Sequence, residues 1–157
     1  MTDFIIKKST LREQGLFSNK DFAANTVLMK FTGKNLTNEE LIKLSYDRQS
    51  ATLQIGKTLY LDTNNEPDDF IAHRCQPNCY VKIAVNNAFL ISLYPIKEGE
   101  ELTFDYSLTS TDSLDEWKMN CNCDPFYCRK IISGFKYLPE QIKRDAIEKK
   151  LVPGYIK

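Results

Sequence analysis

Three cysteines lie close together near the end of the chain in the spacing C-x-C-x4-C: Cys121, Cys123 and Cys128. Thiolates at this spacing can face one point, and zinc prefers four ligands arranged as a tetrahedron. A fourth ligand must come from elsewhere, and the candidates are Cys75, Cys79 and His73. The pattern predicts a zinc site, and a set of four thiolates would make that site closed and structural.

Buried free thiols and a disulfide are the alternatives for these cysteines. The chain has 5 cysteines, whereas a secreted disulfide framework usually has an even number. Residues 1–4 lack the layout of a secretion signal, so we expect an intracellular protein, cytoplasmic or nuclear. Stable disulfides are rare inside cells, which favours metal binding.

The size and charge of the chain limit its partners. With 157 residues it fits one domain with a short appendage. The formal net charge is +0, which argues against steering toward nucleic acid or an anionic membrane. No run approaches the roughly 20 apolar residues that span a bilayer. We therefore expect neither a nucleic-acid nor a membrane partner, and the oligomeric state stays open.

Short apolar runs separated by turn residues predict a fold that is mainly β with short helices. Residues 27–31 have the pattern of a strand that ends before Gly33. Two hairpins are expected, one over residues 52–61 around Gly56-Lys57 and one over residues 81–93 around Asn86-Asn87.

Two segments have helix signals. Residues 37–40 have the S/T-x-x-E layout of a capping box, in which Thr37 and Glu40 would each bond a backbone N–H. Pro139 suits the first turn of a second helix. An apolar stripe follows it, formed by Ile142, Ala146, Ile147 and Leu151. We assign this stripe to packing.

Acidic residues cluster between positions 98 and 116. They are Glu98, Glu100, Glu101, Asp105, Asp112, Asp115 and Glu116. Two interpretations stay open: a solvated rim, or a wall that attracts a basic peptide. An acidic run alone does not decide between them.

Several segments, in order, resemble the SET-domain protein-lysine methyltransferases. Residues 69–79, DFIAHRCQPNC, are similar to the family's R-F-I-N-H-S-C-x-P-N-C, and residues 96–106, IKEGEELTFDY, to its I-x-x-G-E-E-L-T-F-D-Y. Gly15-Leu16-Phe17 and Phe31-Thr32-Gly33 resemble its G-x-G-L-F and Y-x-G segments, and the cysteine cluster resembles its post-SET motif. The resemblance covers residues 3–131.

The resemblance implies the SET fold, in which small β-sheets surround a C-terminal pseudoknot. Three parts follow: a SET domain over residues 1–108, a post-SET zinc segment over 109–131 and a C-terminal helical extension over 132–157. In members with a post-SET motif, the cysteine of the H-S-C segment joins the other three. The implied zinc ligands are Cys75, Cys121, Cys123 and Cys128. Cys79 is then a packed thiol.

The implied activity is methyl transfer from S-adenosylmethionine to a lysine of a protein substrate such as a histone. Tyr106 is the implied catalytic residue, and Phe31 and Phe104 are the implied lining of the lysine channel. Core packing is the alternative for both phenylalanines. Phe104 leaves room for more than one methyl. The implied cofactor-binding residues are Gln14, Gly15, Leu16, Phe17, Ala72, His73, Tyr106, Trp117 and Ile131.

Four positions depart from the family pattern. Glu13 stands in place of a glycine and Asp69 in place of an arginine. Ala72 replaces an asparagine and Arg74 a serine. Each lost hydrogen bond would weaken cofactor binding by about 1 kcal/mol. Two other functions are therefore retained: a catalytically weak SET-like module that binds a basic peptide, and a small zinc-stabilised interaction protein without a cofactor.

Overall fold

The computed structural model describes residues 2–64, 67–111, 117–124 and 126–156. The strands are β1 (Phe4–Lys8), β2 (Gln14–Ser18), β3 (Val27–Lys30), β4 (Lys34–Thr37), β5 (Leu53–Gln54), β6 (Leu59–Asp62), β7 (Ala72–His73), β8 (Cys79–Ala84), β9 (Asn87–Ser92), β10 (Thr103–Phe104), β11 (Lys118–Asn120) and β12 (Ile131–Ser133). The α-helices are α1 (Asn38–Leu41), α2 (Tyr46–Ala51) and α3 (Glu140–Glu148), and 3-10 turns lie at Pro67–Phe70, Tyr106–Leu108, Phe135–Tyr137 and Gly154–Ile156. No helix of this part of the chain is long and apolar enough to cross a membrane.

The strands of the described residues form small sheets, in the orders β1-β2, β3-β9-β8, β4-β6-β5, β11-β12 and β7-β10. Only the β7-β10 pair among them is parallel, and it places Ala72 beside Thr103. Asn78 fastens the same two segments, because its Oδ1 accepts from the Thr103 amide and its Nδ2 donates to the Glu101 carbonyl, both at 2.9 Å. The two longest sequence motifs are therefore neighbours in space.

The first predicted hairpin is confirmed, with Leu53 opposite Leu61. The second forms with its turn one residue earlier than predicted, at Val85-Asn86, where φ is 47° and 60°. A two-residue hairpin turn of this kind needs positive φ at both positions. The register is set by the pairing of Val81 with Leu90, which are both buried.

The capping box is confirmed, since Thr37 and Glu40 cap α1 reciprocally. The helix predicted to begin at Pro139 is α3, and it begins one residue later, with Pro139 as its N-cap. The predicted stripe is only partly correct. Ile147 is 41% exposed because it lies one residue beyond the buried Ala146, which turns it toward solvent. Leu151 follows the helix, beyond a turn at Lys150 with φ of 57°.

Three hydrophobic clusters lie in the described part of the chain, and the smallest contains Leu36, Leu41 and Tyr60. The main core joins the sheets and includes Leu16, Phe31, Ile71, Leu90, Leu102 and Cys79. Cys79 is 0% exposed, in agreement with its assignment as a packed thiol. The second core contains Leu108, Phe135, Leu138, Ala146 and Val152. The C-terminal residues thus share a core with the segment that follows β10.

Gly33 and Gly99 provide a matched pair of tests. Both have positive φ, 129° and 86°, but a side chain on Gly33 would overlap the Asp62 carbonyl, whereas Gly99 has open space. We expect Gly33→Ala to lower the free energy of unfolding by about 3 kcal/mol and Gly99→Ala by about 1 kcal/mol, as measured by urea unfolding. Equal losses would contradict the observed packing at Gly33.

Candidate active site

The tyrosine turn, residues 106–108, lies directly after β10. Asp105 caps it, since its Oδ1 accepts from the Ser107 amide at 3.1 Å. The Tyr106 hydroxyl donates to the Ile71 carbonyl at 2.7 Å. Burial raises the pKa of Tyr106 to about 12, although the nearby Arg12 guanidinium acts in the opposite direction. Tyr106 is therefore a neutral hydroxyl at physiological pH.

Arg129 holds this turn from its other side, and sequence reasoning did not identify it. Its two terminal nitrogens donate to the two carboxylate oxygens of Asp105 at 2.6 and 2.7 Å. One of them also donates to the Ser107 hydroxyl at 3.1 Å. The Asp105 side chain is 4% exposed and that of Arg129 13%. Such two-pronged, charged hydrogen bonds are strong and directional. Because Arg129 follows Cys128, the pair joins the cysteine cluster to the turn.

The acidic residues between positions 98 and 116, interpreted either as a solvated rim or as a wall for a basic peptide, make separate contacts in the described part of the chain; Asp112, Asp115 and Glu116 lie outside it. Glu100 accepts from the Lys97 amide at 2.9 Å. Glu101 accepts from the Ser9 hydroxyl at 2.6 Å. Asp105 is buried against Arg129. These carboxylates serve separate local contacts and do not form one surface for a basic peptide.

A cavity of about 200 Å³ opens beside the tyrosine turn. Phe31, Phe104, Tyr106 and Trp117 line it together with residues of α2 and β5. The ring centroids of Phe104 and Tyr106 are 4.8 Å apart, and those of Phe31 and Phe104 are 6.2 Å apart. Phe31 and Phe104 also belong to the main core, so packing and lining are combined in the same side chains. An aromatic channel of this kind suits the apolar stem of a long side chain.

Polar contacts fix the opposite wall of the cavity. Arg48 of α2 forms an ion pair with Asp62, and its other terminal nitrogen lies 3.6 Å from Asp69. Asp69 also accepts from the Thr63 hydroxyl at 3.0 Å. Asp68 is buried and accepts from the Thr32 amide at 2.8 Å. Helix α2 is thereby tied to the 3-10 turn that precedes Ile71.

The residues predicted to bind a cofactor are spread over several elements. Ala72 and His73 are buried in β7, and Gln14, Gly15, Leu16 and Phe17 lie in β2. Leu16 is a core residue, and the Phe17 ring lies 4.3 Å from the Lys7 ammonium. Arg12, which sequence reasoning missed, links the start of β2 to the site, since it donates to the Asp69 carbonyl at 2.9 Å.

The other two predicted cofactor residues lie apart from β2 and β7. Trp117 lines the aromatic cavity with Phe31 and Phe104. Ile131 is 55% exposed on β12. The cofactor assignment of both residues stays a prediction.

The cysteine cluster assembles around the start of the H-R-C segment. The ligand atoms of His73, Cys75, Cys121 and Cys123 all lie within 4.8 Å of one another. Three predicted zinc ligands are thus together. The Cys128 thiol donates to the Cys121 carbonyl at 3.1 Å, so it borders the same cluster.

The hydrogen bonds of His73 indicate whether His73 or Cys128 would join Cys75, Cys121 and Cys123 as a metal ligand. Its Nδ1 accepts from the Tyr106 amide at 3.2 Å, which leaves the proton of the neutral ring on Nε2. Nε2 then faces the Cys75 sulfur at 3.3 Å as a donor and has no lone pair for a metal. Burial lowers the pKa of His73 to about 4, so the ring stays neutral.

Cys128 borders the cluster at the Cys121 carbonyl and is the third cysteine of the C-x-C-x4-C segment. Thiolates are the ligands that structural zinc prefers. We therefore propose Cys128 as the fourth ligand, with His73 as a hydrogen-bond donor to Cys75. Four thiolates fit a structural zinc ion.

Comparisons with known proteins identify the family of this chain. The sequence model of the SET domain matches residues 13–107. The chain is 29% identical over 136 residues to Histone-lysine N-methyltransferase 2D of Homo sapiens and 28% identical over 137 residues to Histone-lysine N-methyltransferase trithorax of Drosophila melanogaster. Each alignment covers 80% of this chain but only 2% and 4% of those proteins. The chain thus spans a small part of the length of these relatives.

Solved structures show the same fold. A crystal structure of an active polycomb repressive complex 2 in the basal state aligns with a TM-score of 0.59 at 24% identity, over 66% of this chain and 15% of that chain. A humanized mutant of the Chaetomium thermophilum complex aligns with a TM-score of 0.61 at 23% identity, over 68% of this chain and 15% of that one. The likeness confirms the predicted fold.

The ligand proposal predicts different effects of two cysteine substitutions. Cys128→Ser removes a thiolate and should weaken zinc binding by more than about 100-fold in a chelator competition. Cys79→Ser should leave zinc affinity and stoichiometry unchanged, because Cys79 lies in the main core. His73→Gln, which can still donate, should keep one zinc per chain. Zinc loss in His73→Gln with full binding in Cys128→Ser would contradict the ligand set.

Proposed function

This chain belongs to the SET-domain family, and on that premise we propose that it is an S-adenosylmethionine-dependent protein-lysine N-methyltransferase with Tyr106 as its catalytic residue. The observation that carries the proposal is the Tyr106 hydroxyl, hydrogen-bonded to the Ile71 carbonyl at the wall of an aromatic cavity. The names of the relatives support a histone as the substrate, and other lysine-bearing proteins have the same reacting group. A nuclear location would follow from a histone substrate.

The cavity prepares the lysine for attack. A free lysine has a pKa of about 10.4, yet only the neutral amine is a nucleophile. The rings of Phe31 and Phe104 exclude water and so disfavour the ammonium form. Asp68 accepts from the Thr32 amide and Asp69 from the Thr63 hydroxyl, and the proposed mechanism assigns neither carboxylate as a base. Deprotonation by solvent before entry is sufficient for this chemistry.

Tyr106 orients the reaction without exchanging its proton. S-adenosylmethionine, when bound, supplies a methyl group from a positively charged sulfonium. The hydroxyl hydrogen of Tyr106 is directed to Ile71, and the Arg12 side chain contacts the oxygen, which leaves one lone pair to accept from the amine and orient it. Alignment of the two reactants then accounts for much of the rate.

The remaining assignments extend the same proposal. Gln14, Gly15, Leu16, Phe17, Ala72, His73, Trp117 and Ile131 are the proposed cofactor contacts beside Tyr106. The link from Arg12 to Asp69 supports a cofactor site between β2 and the tyrosine turn. Zinc would hold the C-terminal segment in place and take no part in the reaction.

A catalytically weak peptide-binding module is the second candidate. Ala72, which is 1% exposed, offers no side-chain hydrogen bond where the family has asparagine. That observation favours weaker cofactor binding. Turnover with S-adenosylmethionine and a lysine peptide separates the two candidates, because only the enzyme forms methyl-lysine.

Tyr106→Phe tests the catalytic assignment. We expect kcat to fall by about 100-fold or more, because the hydroxyl oxygen at the reacting centre is lost. Cofactor affinity should change little. Methyl transfer would be measured with labelled cofactor and a histone peptide. Undiminished kcat in this variant would overturn the assigned mechanism.

Phe104→Tyr tests the role of Phe104 in the number of methyl groups added. An added hydroxyl occupies space beside Tyr106 and can hold the amine by a hydrogen bond. We expect the products to shift from several methyl groups to one, as read by mass spectrometry of the peptide. An unchanged product distribution would show that Phe104 serves packing alone.

A further inference from the structure

Tyr155, close to the C-terminus, reaches back to the cavity. Its hydroxyl lies 2.6 Å from the Gln54 carbonyl and 2.8 Å from the Thr109 carbonyl. Burial raises the pKa of Tyr155, so its single proton remains and is shared between two acceptors. Gln54 in β5 and Thr109 after the tyrosine turn both line the cavity. One hydroxyl therefore bridges two of its walls.

A second set of hydrogen bonds joins the same walls. The Gln54 side chain accepts from the Thr111 amide at 2.9 Å and donates to the Thr111 hydroxyl at 2.9 Å. Gln54 is 6% exposed, so these bonds are formed away from water. The main chain of residues 109–111 is thus held to β5 at two points, of which Tyr155 provides one.

Residues 134–156 also contact residues 108–111. The Phe135 amide donates to the Ser110 carbonyl at 2.9 Å. Leu108, two residues after Tyr106, packs in the second core with Phe135, Ala146 and Val152. Residues 134–156 thus form an integral support of the tyrosine turn and of the adjoining wall.

We propose that Tyr155 is a positioning residue that sets the spacing of two walls of the substrate cavity. The proposal rests on the proposed function, in which a lysine-bearing segment of a protein enters that cavity. Without the hydroxyl, two carbonyl oxygens face the same space with no shared donor, so the walls separate or admit water. Tyr155 touches no reacting atom. Its loss therefore affects substrate binding and leaves the transfer step intact.

Tyr155→Phe removes only this hydroxyl, and Tyr94→Phe is the matched control, since Tyr94 is 63% exposed and lies outside the cavity lining. We expect the KM for a histone peptide to rise about fivefold in Tyr155→Phe, which corresponds to one hydrogen bond. Its kcat and its calorimetric affinity for S-adenosylmethionine should stay within about twofold of the wild type. Unchanged KM, or an equal loss of cofactor affinity, would overturn the proposal.

Trp117 provides a readout that needs no turnover. It is the 1 tryptophan of the chain and lines the cavity, so acrylamide quenching of its fluorescence reports the opening of that cavity. We expect the quenching constant to rise roughly twofold in Tyr155→Phe and to stay unchanged in Tyr94→Phe. If the wild-type protein transferred no methyl group, the proposed function would be wrong, but the quenching comparison would still test the Tyr155 bridge. An unchanged quenching constant would overturn the bridge itself.

Thr111→Val keeps the proposal testable if Tyr155→Phe does not fold. It removes the hydroxyl that pairs with Gln54 and leaves Tyr155 in place. The KM for the histone peptide and the quenching constant of Trp117 should both rise, by smaller factors than in Tyr155→Phe. A rise in the dissociation constant for S-adenosylmethionine without a rise in the KM for the peptide would contradict the positioning role of these hydrogen bonds.

Discussion

Asp105 and Arg129 form an ion pair where the protein is almost closed to water, and only the Nε of this guanidinium has no hydrogen-bond partner among the described residues. Both carboxylate oxygens and both terminal guanidinium nitrogens are engaged. Replacing such a pair with apolar residues is often neutral, whereas losing one partner costs about 3–5 kcal/mol. The ion pair therefore contributes mainly by fixing the position of Asp105, the residue that precedes Tyr106. The position of the tyrosine hydroxyl depends on this constraint.

The same pair connects the two chemical centres of the molecule. Arg129 follows Cys128, and its amide also donates to the Cys75 sulfur at 3.4 Å. His73 forms a second connection, between the Cys75 sulfur and the Tyr106 amide. Ordering of the cysteine cluster by a metal would thus be transmitted to the tyrosine turn through two short paths. A structural ion can support the reaction in this way without contacting the substrate.

Sequence reasoning predicted the site residues but not the contacts that hold them. The roles of Tyr106 and the two channel phenylalanines were predicted from the resemblance of dense local motifs to the SET family, and three of the clustered cysteines from the same motifs. Arg129, Arg12 and Tyr155 act on partners 24, 57 and 101 positions away, and no periodic pattern encodes such pairs. The hairpin turn at Val85 was missed for another reason. The register was decided by burial of strand residues, which prevailed over the local turn preference of asparagine.

Two of the four departures from the family pattern, Arg74 and Asp69, have charged partners of their own. Arg74 lies 3.6 Å from Asp124 in the cysteine loop, and Asp69 lies 3.6 Å from Arg48. These charges are therefore compensated locally, and neither is left to oppose a cofactor. Ala72 differs from these two, since alanine has no side-chain hydrogen bond to offer where the family has asparagine. Cofactor affinity is consequently the quantity in which this chain can differ most from its relatives.

Calorimetric titration of the zinc-loaded protein with S-adenosylmethionine tests the central claim most directly. A lysine methyltransferase with this site should bind one cofactor per chain with a dissociation constant on the order of micromolar, equivalent to roughly −8 kcal/mol. No measurable heat up to millimolar cofactor, with and without a lysine peptide present, would contradict the account and favour a peptide-binding module.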